Sequence, residues 1–297
     1  MKIFDCFMYF DEDIVLDVRL NYLSKYVDKF IIIESRYNHR GEKRDPQFNV
    51  EKFEKFEKKI NYILIDKEPD GIEKVNENDN HEERSRKFIL NAIKRENFQR
   101  NIISQGIEDA DDNDWILISD LDEIPNLKNN NLKKFESPLV FFKQHMMYYK
   151  FNLILENYSW LGTKACKKKN LKTPQWLRNI KDRPYPWWRI DTYFSNIKYI
   201  DIKIIEQGGW HFSYIKSPED IEKKLKSYLH HREYDLNPVG VENIRKMIDN
   251  KKTIYDLKAD MRSNKFDGNN ELTKIDLNLL PNYISENVDK FSKWIEK

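Results

Sequence analysis

Trp115-Ile116-Leu117-Ile118-Ser119-Asp120-Leu121-Asp122-Glu123-Ile124-Pro125 is the stretch that decides how this chain reads. Four consecutive apolar residues, bounded by polar segments, predict a short strand buried on both faces, as central strands of parallel sheets are. The apolar run then stops, and three carboxylates arrive within four residues. In an extended segment residues i and i+2 point the same way. Asp120 and Asp122 are therefore expected on one side, with Leu121 turned back into the core. Ligands of open α/β sheets sit beyond the carboxyl ends of strands. Two carboxylates in that position suit a hard divalent cation such as Mg²⁺ or Mn²⁺.

Upstream, the pattern alternates. Residues 2–10 read as a strand, and Asp11 is expected to cap a helix whose apolar face is Val15, Val18, Tyr22 and Tyr26. A strand follows over 27–34, with Phe30-Ile-Ile-Ile33, then a polar loop over 35–49 holding Gly41 and Pro46. A charged helix over 50–58, a strand over 60–65, a loop over 66–80 and a long helix over 82–104 complete this half. Strands alternating with helices predict an α/β fold with a mainly parallel sheet flanked by helices, the 115–119 strand at its centre. Downstream, 139–155 is a continuous β-prone stretch, and Ile197–Ile205 alternates as a strand. Ser217-Pro218 opens a helix with Ile221, Leu225, Tyr228 and Leu229 on its apolar face. No linker or repeat interrupts the chain. We expect one domain over 1–235, with 236–297 a helical extension packed on it.

Composition narrows the function classes. The 297 residues carry 52 basic and 50 acidic side chains, a net charge of +2, without the basic excess of a nucleic-acid binder. Cys6 and Cys166 are isolated, which suits a reducing compartment. The N-terminal strand is broken by Asp5 and resembles neither a leader nor an anchor, and no run of about 18 apolar residues exists to span a membrane. The expected location is the cytoplasm, at most peripheral to the inner membrane surface.

The chemistry that calls for paired carboxylates and a metal at a strand end is departure of a phosphate group, whose developing charge a bridging cation neutralises without proton transfer. A nucleotide-sugar, losing its sugar as a diphosphate leaves, fits. Phosphatases and nucleases also use D-x-D, so a metal-dependent phosphoesterase is an alternative, although that class needs further His and Asp clusters and the six histidines here are scattered. A catalytically inactive glycan-binding protein is a third reading, against which the intact motif speaks.

Several blocks, in order, resemble glycosyltransferase family 17, whose best-known members are β-1,4-N-acetylglucosaminyltransferases of N-glycans. These are Ile33-Glu34-Ser35 followed by Gly41, Arg44 and Phe48; Glu96-Asn-Phe-Gln-Arg100-Asn101; Ser119 to Pro125; and Gly209-Trp210-His211-Phe212-Ser213. A weaker match surrounds Pro174 and Arg178, and an echo lies at Leu280-Pro-Asn-Tyr-Ile284. The resemblance covers about residues 1–235. It implies a GT-A fold, an inverting mechanism, a UDP-linked donor (often UDP-GlcNAc) and a divalent metal at Asp120 and Asp122. Animal members are membrane-anchored. This chain shows no anchor, so a polysaccharide or lipopolysaccharide precursor is the expected acceptor rather than a protein N-glycan.

By the same resemblance, His211 is a candidate third metal ligand, the alternative being a core histidine. Glu34, at a strand's carboxyl end, is a candidate for the base or ribose of the donor. Arg100 is a candidate for the diphosphate or for a site carboxylate. Trp160, Trp176, Trp187 and Trp188, with Arg178 and Trp210, are candidates for the acceptor, because aromatic faces pack on sugar rings. An inverting transfer needs a general base, and Glu123, Asp191 and Glu206 are the candidates. His230-His231 reads as a helix-end pair rather than a metal site.

Overall fold

A computed structural model describes residues 1–182, 185, 188–199, 201–254 and 270–297. The first half contains β1 (Ile3–Met8), α1 (Asp13–Leu23), β2 (Lys29–Ser35), a 3-10 segment (Val50–Lys59), β3 (Ile60–Ile65), α2 (His81–Asn101), α3 (Ile103–Gly106) and β4 (Trp115–Asp120). The second contains β5 (Glu123–Pro125), β6 (Leu139–Tyr148), β7 (Leu153–Lys167), α4 (Pro174–Asn179), α5 (Asp191–Phe194), β8 (Ile202–Ile205) and β9 (Gly209–Ser213). Then come α6 (Pro218–Ser227), α7 (His231–Leu236), α8 (Val241–Asp249), β10 (Thr273–Lys274) and α9 (Asn282–Ser285).

The sheet is mixed, which corrects the expectation of a mainly parallel one. Its order is β3-β2-β1-β4-β7-β6-β9-β5, with β10 on β7 and β8 on β6. The first four strands are parallel. Beyond them β7 runs antiparallel to both β4 and β6, while β8 and β9 run parallel to β6. The β-prone stretch from 139 is two strands rather than one. Its reversal uses Tyr149 at φ 62 instead of a glycine, so no Gly or Pro marks it in the sequence. Only Ile202–Ile205 of the strand expected over 197–205 forms, and residue 200 lies outside the described residues.

β4 is central, as its composition demands. Trp115 and Leu117 enter one buried cluster, and Ile116 and Ile118 enter the other. Only two residues separate β4 from β5, yet β5 stands at the far end of the strand order, antiparallel to β9. A sheet that returns its last strand to the neighbourhood of its fourth must curl, and the residues between those strands sit where it folds over.

The helices follow their local chemistry, with exceptions. Asn80 and Glu83 form a reciprocal capping box on α2. Ser217 caps α6 through the Asp220 amide, with Pro218 in the first turn and Ile221 and Leu225 buried. The helix stops at Ser227, so Tyr228 and Leu229 lie beyond it. α1 starts at Asp13 without a side-chain cap, because the Glu12 carboxylate turns back to accept from the Phe10 and Asp11 amides. In the C-terminal part α8 contacts α6, β10 pairs with β7, and Leu280, Ile284 and Phe291 join the main core.

Candidate active site

A cavity of about 400 Å³ opens at the carboxyl ends of the parallel strands. β1 and β2 deliver Met8 and Ser35 to it, β4 delivers Asp120, and the turn after β4 delivers Leu121 and Asp122. The curled half adds Met146, Tyr148, Trp160, His211 and Ser213, and α6 adds Lys224 and Ser227. Aromatic and charged side chains share its walls, and its volume lies within the usual ~300–1,000 Å³ of small-ligand sites.

The D-x-D turn is built on a buried ion pair. Asp5 interrupts the apolar run of β1, and Arg19 interrupts the apolar face of α1; both are 0% exposed. The Arg19 guanidinium forks onto the Asp5 carboxylate at 2.6 and 2.8 Å. Its free nitrogen donates to the carbonyls of Asp120, Leu121 and Glu123 at 3.2, 2.9 and 2.7 Å. One cation therefore dictates the course of the backbone that carries both aspartates. The extended geometry expected through Asp122 ends at Asp120, and residues 121–122 form a turn.

β9 brings His211 to the motif. In the β5–β9 ladder His211 stands opposite Glu123, and the Phe212 amide donates to the Asp122 carbonyl at 2.8 Å. His211 Nε2 then lies 3.3 Å from Asp122 Oδ1, and Lys224 Nζ lies 3.5 Å from Asp122 Oδ2. The ladder needs a glycine at 209. Its φ is +135°, and a Cβ there would lie 2.1 Å from the Ile124 carbonyl oxygen.

Several sequence candidates stand behind the cavity rather than in it. Glu123, a candidate base, is 0% exposed. Its carboxylate accepts from Trp160 Nε1, from the Asp120 amide and from both terminal nitrogens of Arg178. With no oxygen facing the cavity it holds the floor together, and a role in deprotonation does not fit. Arg178, expected on the acceptor, is likewise turned inward to Glu123, the Gly162 carbonyl and Asp120 Oδ2. Arg100 takes the carboxylate option of its two. It binds Asp120 Oδ1 at 3.0 Å, Glu96 at 2.9 Å and Gln175.

Glu34 is fully buried, accepting from the Gln47 and Phe48 amides and Tyr62 and pairing with Arg44 at 3.0 Å. It clamps the loop after β2 and has no oxygen left for a donor. Trp210 is a core residue, edge-on to Tyr22 with its N–H on the Leu279 carbonyl, and does not reach the cavity. Trp160 does line it, tilted over His211 with centroids 5.2 Å apart. Trp176 donates to the Asn196 carbonyl outside the cavity, Trp188 is 66% exposed, and Trp187 lies outside the described residues. Asp191 pairs with Arg189 and Lys198, and Glu206 with Lys143, each away from the cavity. Of the histidine pair, His231 lies buried against Phe88, and His230 borders the cavity while paired with Glu233.

The electrostatics of the floor are those of compensated carboxylates. Burial opposes ionisation of Asp120, but Arg178 and then Arg100 outweigh it and hold its pKa below the ordinary value. Burial likewise opposes the charge of Asp122, and His211 and Lys224 reverse the effect and hold it well below the usual carboxylate range. His211 is shifted upward, burial disfavouring the imidazolium and Asp122 more than restoring it. Glu12, which borders the cavity beside Asp122, is held down to about 2 because Lys216 and Lys224 overcome its burial.

Sequence reasoning missed Arg19, Glu12, Lys224, His39 and Gln99. His39 and Gln99 line the cavity and face each other at 3.3 Å. Arg19 had a legible signal, a lone cation between Val18 and Leu20 with an acid at the matching depth of the preceding strand. Glu12 also follows a strand's carboxyl end. Lys224 had none, being one lysine among several on α6.

Among the described residues no three His, Cys, Asp or Glu side chains converge as a ready-made metal cage. Asp120 and Asp122 nevertheless offer hard oxygens on one cavity wall, Asp120 with 38% of its side chain exposed, and His211 retains a buried Nδ1 without a partner. That donor set would suit a hard divalent ion bound through one or two carboxylates rather than one caged by protein. No helix among the described residues is long and apolar enough to cross a membrane. No curated protein sequence matches the chain. The model of glycosyltransferase family 17 matches residues 1–295, nearly the whole length, extending the resemblance through the C-terminal part. With carboxylates poised at the end of a central strand above an aromatic cavity, and that match spanning the chain, the protein belongs to glycosyltransferase family 17, and glycosyl transfer is the activity that membership implies.

Proposed function

We propose that the protein is an inverting GT-A-type glycosyltransferase that moves GlcNAc from UDP-GlcNAc to a glycan or glycolipid acceptor, with Mn²⁺ or Mg²⁺ required. The observation that carries the reading is the placement of Asp120 and Asp122 at the end of β4, both lining the cavity. The parallel order β3-β2-β1-β4, with the cavity at its carboxyl ends, supports a nucleotide-binding half. Asp120 and Asp122 would hold the metal, with His211 beside them. When bound, the ion supplies neutralising charge to the departing diphosphate.

The chain's own residues do the rest. Arg100 and Arg178 fix the Asp120 carboxylate, and Arg19 fixes the backbone beneath it, so the site is organised before substrate arrives. Trp160, tilted over His211 at the cavity edge, offers an aromatic face to a sugar ring. The base that receives the acceptor proton is to be sought among cavity-lining groups such as Glu12, Asp122 and His211 rather than at Glu123, Asp191 or Glu206. The acceptor we propose is a polysaccharide or lipopolysaccharide precursor at the cytoplasmic face of a membrane.

The test is a panel of UDP-sugars incubated with Mn²⁺ or with chelator, read by UDP release. UDP-GlcNAc should turn over with metal alone present, and faster once an acceptor glycan is added. Asp122→Ala should abolish release at unchanged fold. Inorganic phosphate in place of UDP as the product would move the assignment to phosphoester hydrolysis.

A further inference from the structure

All four oxygens of the D-x-D carboxylates already face a protein nitrogen. Asp120 Oδ1 accepts from Arg100 at 3.0 Å and Oδ2 from Arg178 at 3.1 Å. Asp122 Oδ1 faces His211 at 3.3 Å and Oδ2 faces Lys224 at 3.5 Å. A dication arriving alone therefore meets carboxylates whose charge is already answered, and binds weakly until a neighbouring cation gives way.

Three of the four partners are fixed. Arg178 is locked by Glu123 and the Gly162 carbonyl, and Arg100 by Glu96 and Gln175. His211 is held in the β9 ladder. Lys224 differs. Its ammonium sits on a flexible four-carbon stem from α6, and its contact to Asp122 is the longest of the four. It also has somewhere to rest, since Glu12 Oε1 lies 3.1 Å away on the other side. It lines the cavity, where the oxygens of a diphosphate would be strong acceptors.

We propose that Lys224 is an internal counter-cation that keeps Asp122 closed to metal until a nucleotide diphosphate draws the ammonium away, so that the divalent ion is taken up with the nucleotide rather than before it. This rests on the metal-dependent donor reading above. It makes Lys224 a positioning residue that sets binding order.

Mn²⁺ binding, followed by the loss of the free-ion electron paramagnetic resonance signal with and without UDP, tests it without turnover. The wild-type protein should bind Mn²⁺ weakly alone and more tightly with UDP. Lys224→Met, which keeps the stem and removes the charge, should bind Mn²⁺ alone about tenfold more tightly, the equivalent of one modest ion-pair contact, and lose most of the UDP effect. Lys224→Arg should keep the wild-type pattern. Thermal melting verifies the fold of each variant, and Lys224→Gln replaces the methionine should it not fold. Lys224→Met matching wild type or binding more weakly without nucleotide, while wild type takes up Mn²⁺ with UDP, overturns this inference alone. Absence of Mn²⁺ uptake by wild type even with UDP overturns it together with the metal-dependent reading.

Discussion

Arg19→Met is the perturbation with the largest expected effect, because one side chain satisfies four groups at once. Its loss strands the Asp5 carboxylate, which is 0% exposed, and removes the side-chain donor of the Asp120 and Leu121 carbonyls, leaving the Glu123 carbonyl to the Thr163 hydroxyl. Breaking a buried pair by removing one partner costs about 3–5 kcal/mol. A domain of this kind is stable by ~5–15 kcal/mol, so the single variant approaches the unfolding threshold. The double variant Asp5→Leu/Arg19→Met removes the stranded charge and replaces the pair with apolar volume between Phe7 and the core, which is often neutral or better. Much of the lost stability should return, short of what the Asp120 and Leu121 carbonyls still lack. The function should not return with it, since the turn that carries both aspartates then loses the guanidinium beneath its backbone. Urea unfolding followed by circular dichroism gives the stabilities, and calorimetric titration of UDP with Mn²⁺ gives the site. A single variant that costs less than about 1 kcal/mol, or a double variant that binds as wild type does, would refute the reasoning that Arg19 holds the motif in place.

Two further outcomes follow from particular side chains. His231 is buried, and burial together with the Arg40 charge holds its pKa down to about 4, against ~6.5 when unfolded. The unfolded chain thus binds a proton that the native state refuses. Stability should fall as pH drops from about 6.5 towards 4, by roughly 1–2 kcal/mol, with no contribution above that window. His231→Asn, which keeps a donor for the Tyr228 carbonyl, should flatten that slope in urea titrations at stepped pH, and an unchanged slope would put its origin elsewhere. Gly209→Ala should cost ~3 kcal/mol or more or yield insoluble protein, because φ is +135° and the new Cβ lies 2.1 Å from the Ile124 oxygen; soluble protein of wild-type stability would mean that β5 and β9 lie farther apart.

The parallel half of the fold was legible because its signals are local. Apolar runs over 30–33 and 115–118, separated by helical periods, can only be buried strands joined by crossovers. The second half was not, since strand direction there depends on a reversal at Tyr149 that carries no glycine, and on long-range pairing that no window of sequence contains. The site divides the same way. Asp120 and Asp122 stand out by position after a buried strand, and the curl of the sheet then decides that His211 joins them while Trp210, next to it, enters the core. Alternation along β9 alone could have suggested that neighbours face opposite sides, but not which side held the cavity. Glu34, Arg100, Glu123 and Arg178 lie in motif blocks, and their contacts organise the loop and the floor, which a resemblance cannot distinguish from contact with substrate.

The motif also conceals an asymmetry between its two acids. Asp120 is gripped by planar guanidinium groups that are themselves locked to Glu96, Gln175 and Glu123, so its position is set before any ligand arrives. Asp122 is met by an imidazole at 3.3 Å, held in the β9 ladder, and by a lysine at 3.5 Å whose flexible stem can give way. A rigid acid beside a yielding one would suit the proposed site, where one carboxylate is in place beforehand and the other is released as the cation is taken up. A turn in which both acids were clamped by arginine would have no counter-charge free to leave when a cation arrived, and one in which neither was held would pay the ordering entropy with every substrate. The difference lies in residues from α2, α4, α6 and β9, far apart in the chain, which is why two aspartates that look equivalent in sequence stand in different surroundings in the folded protein.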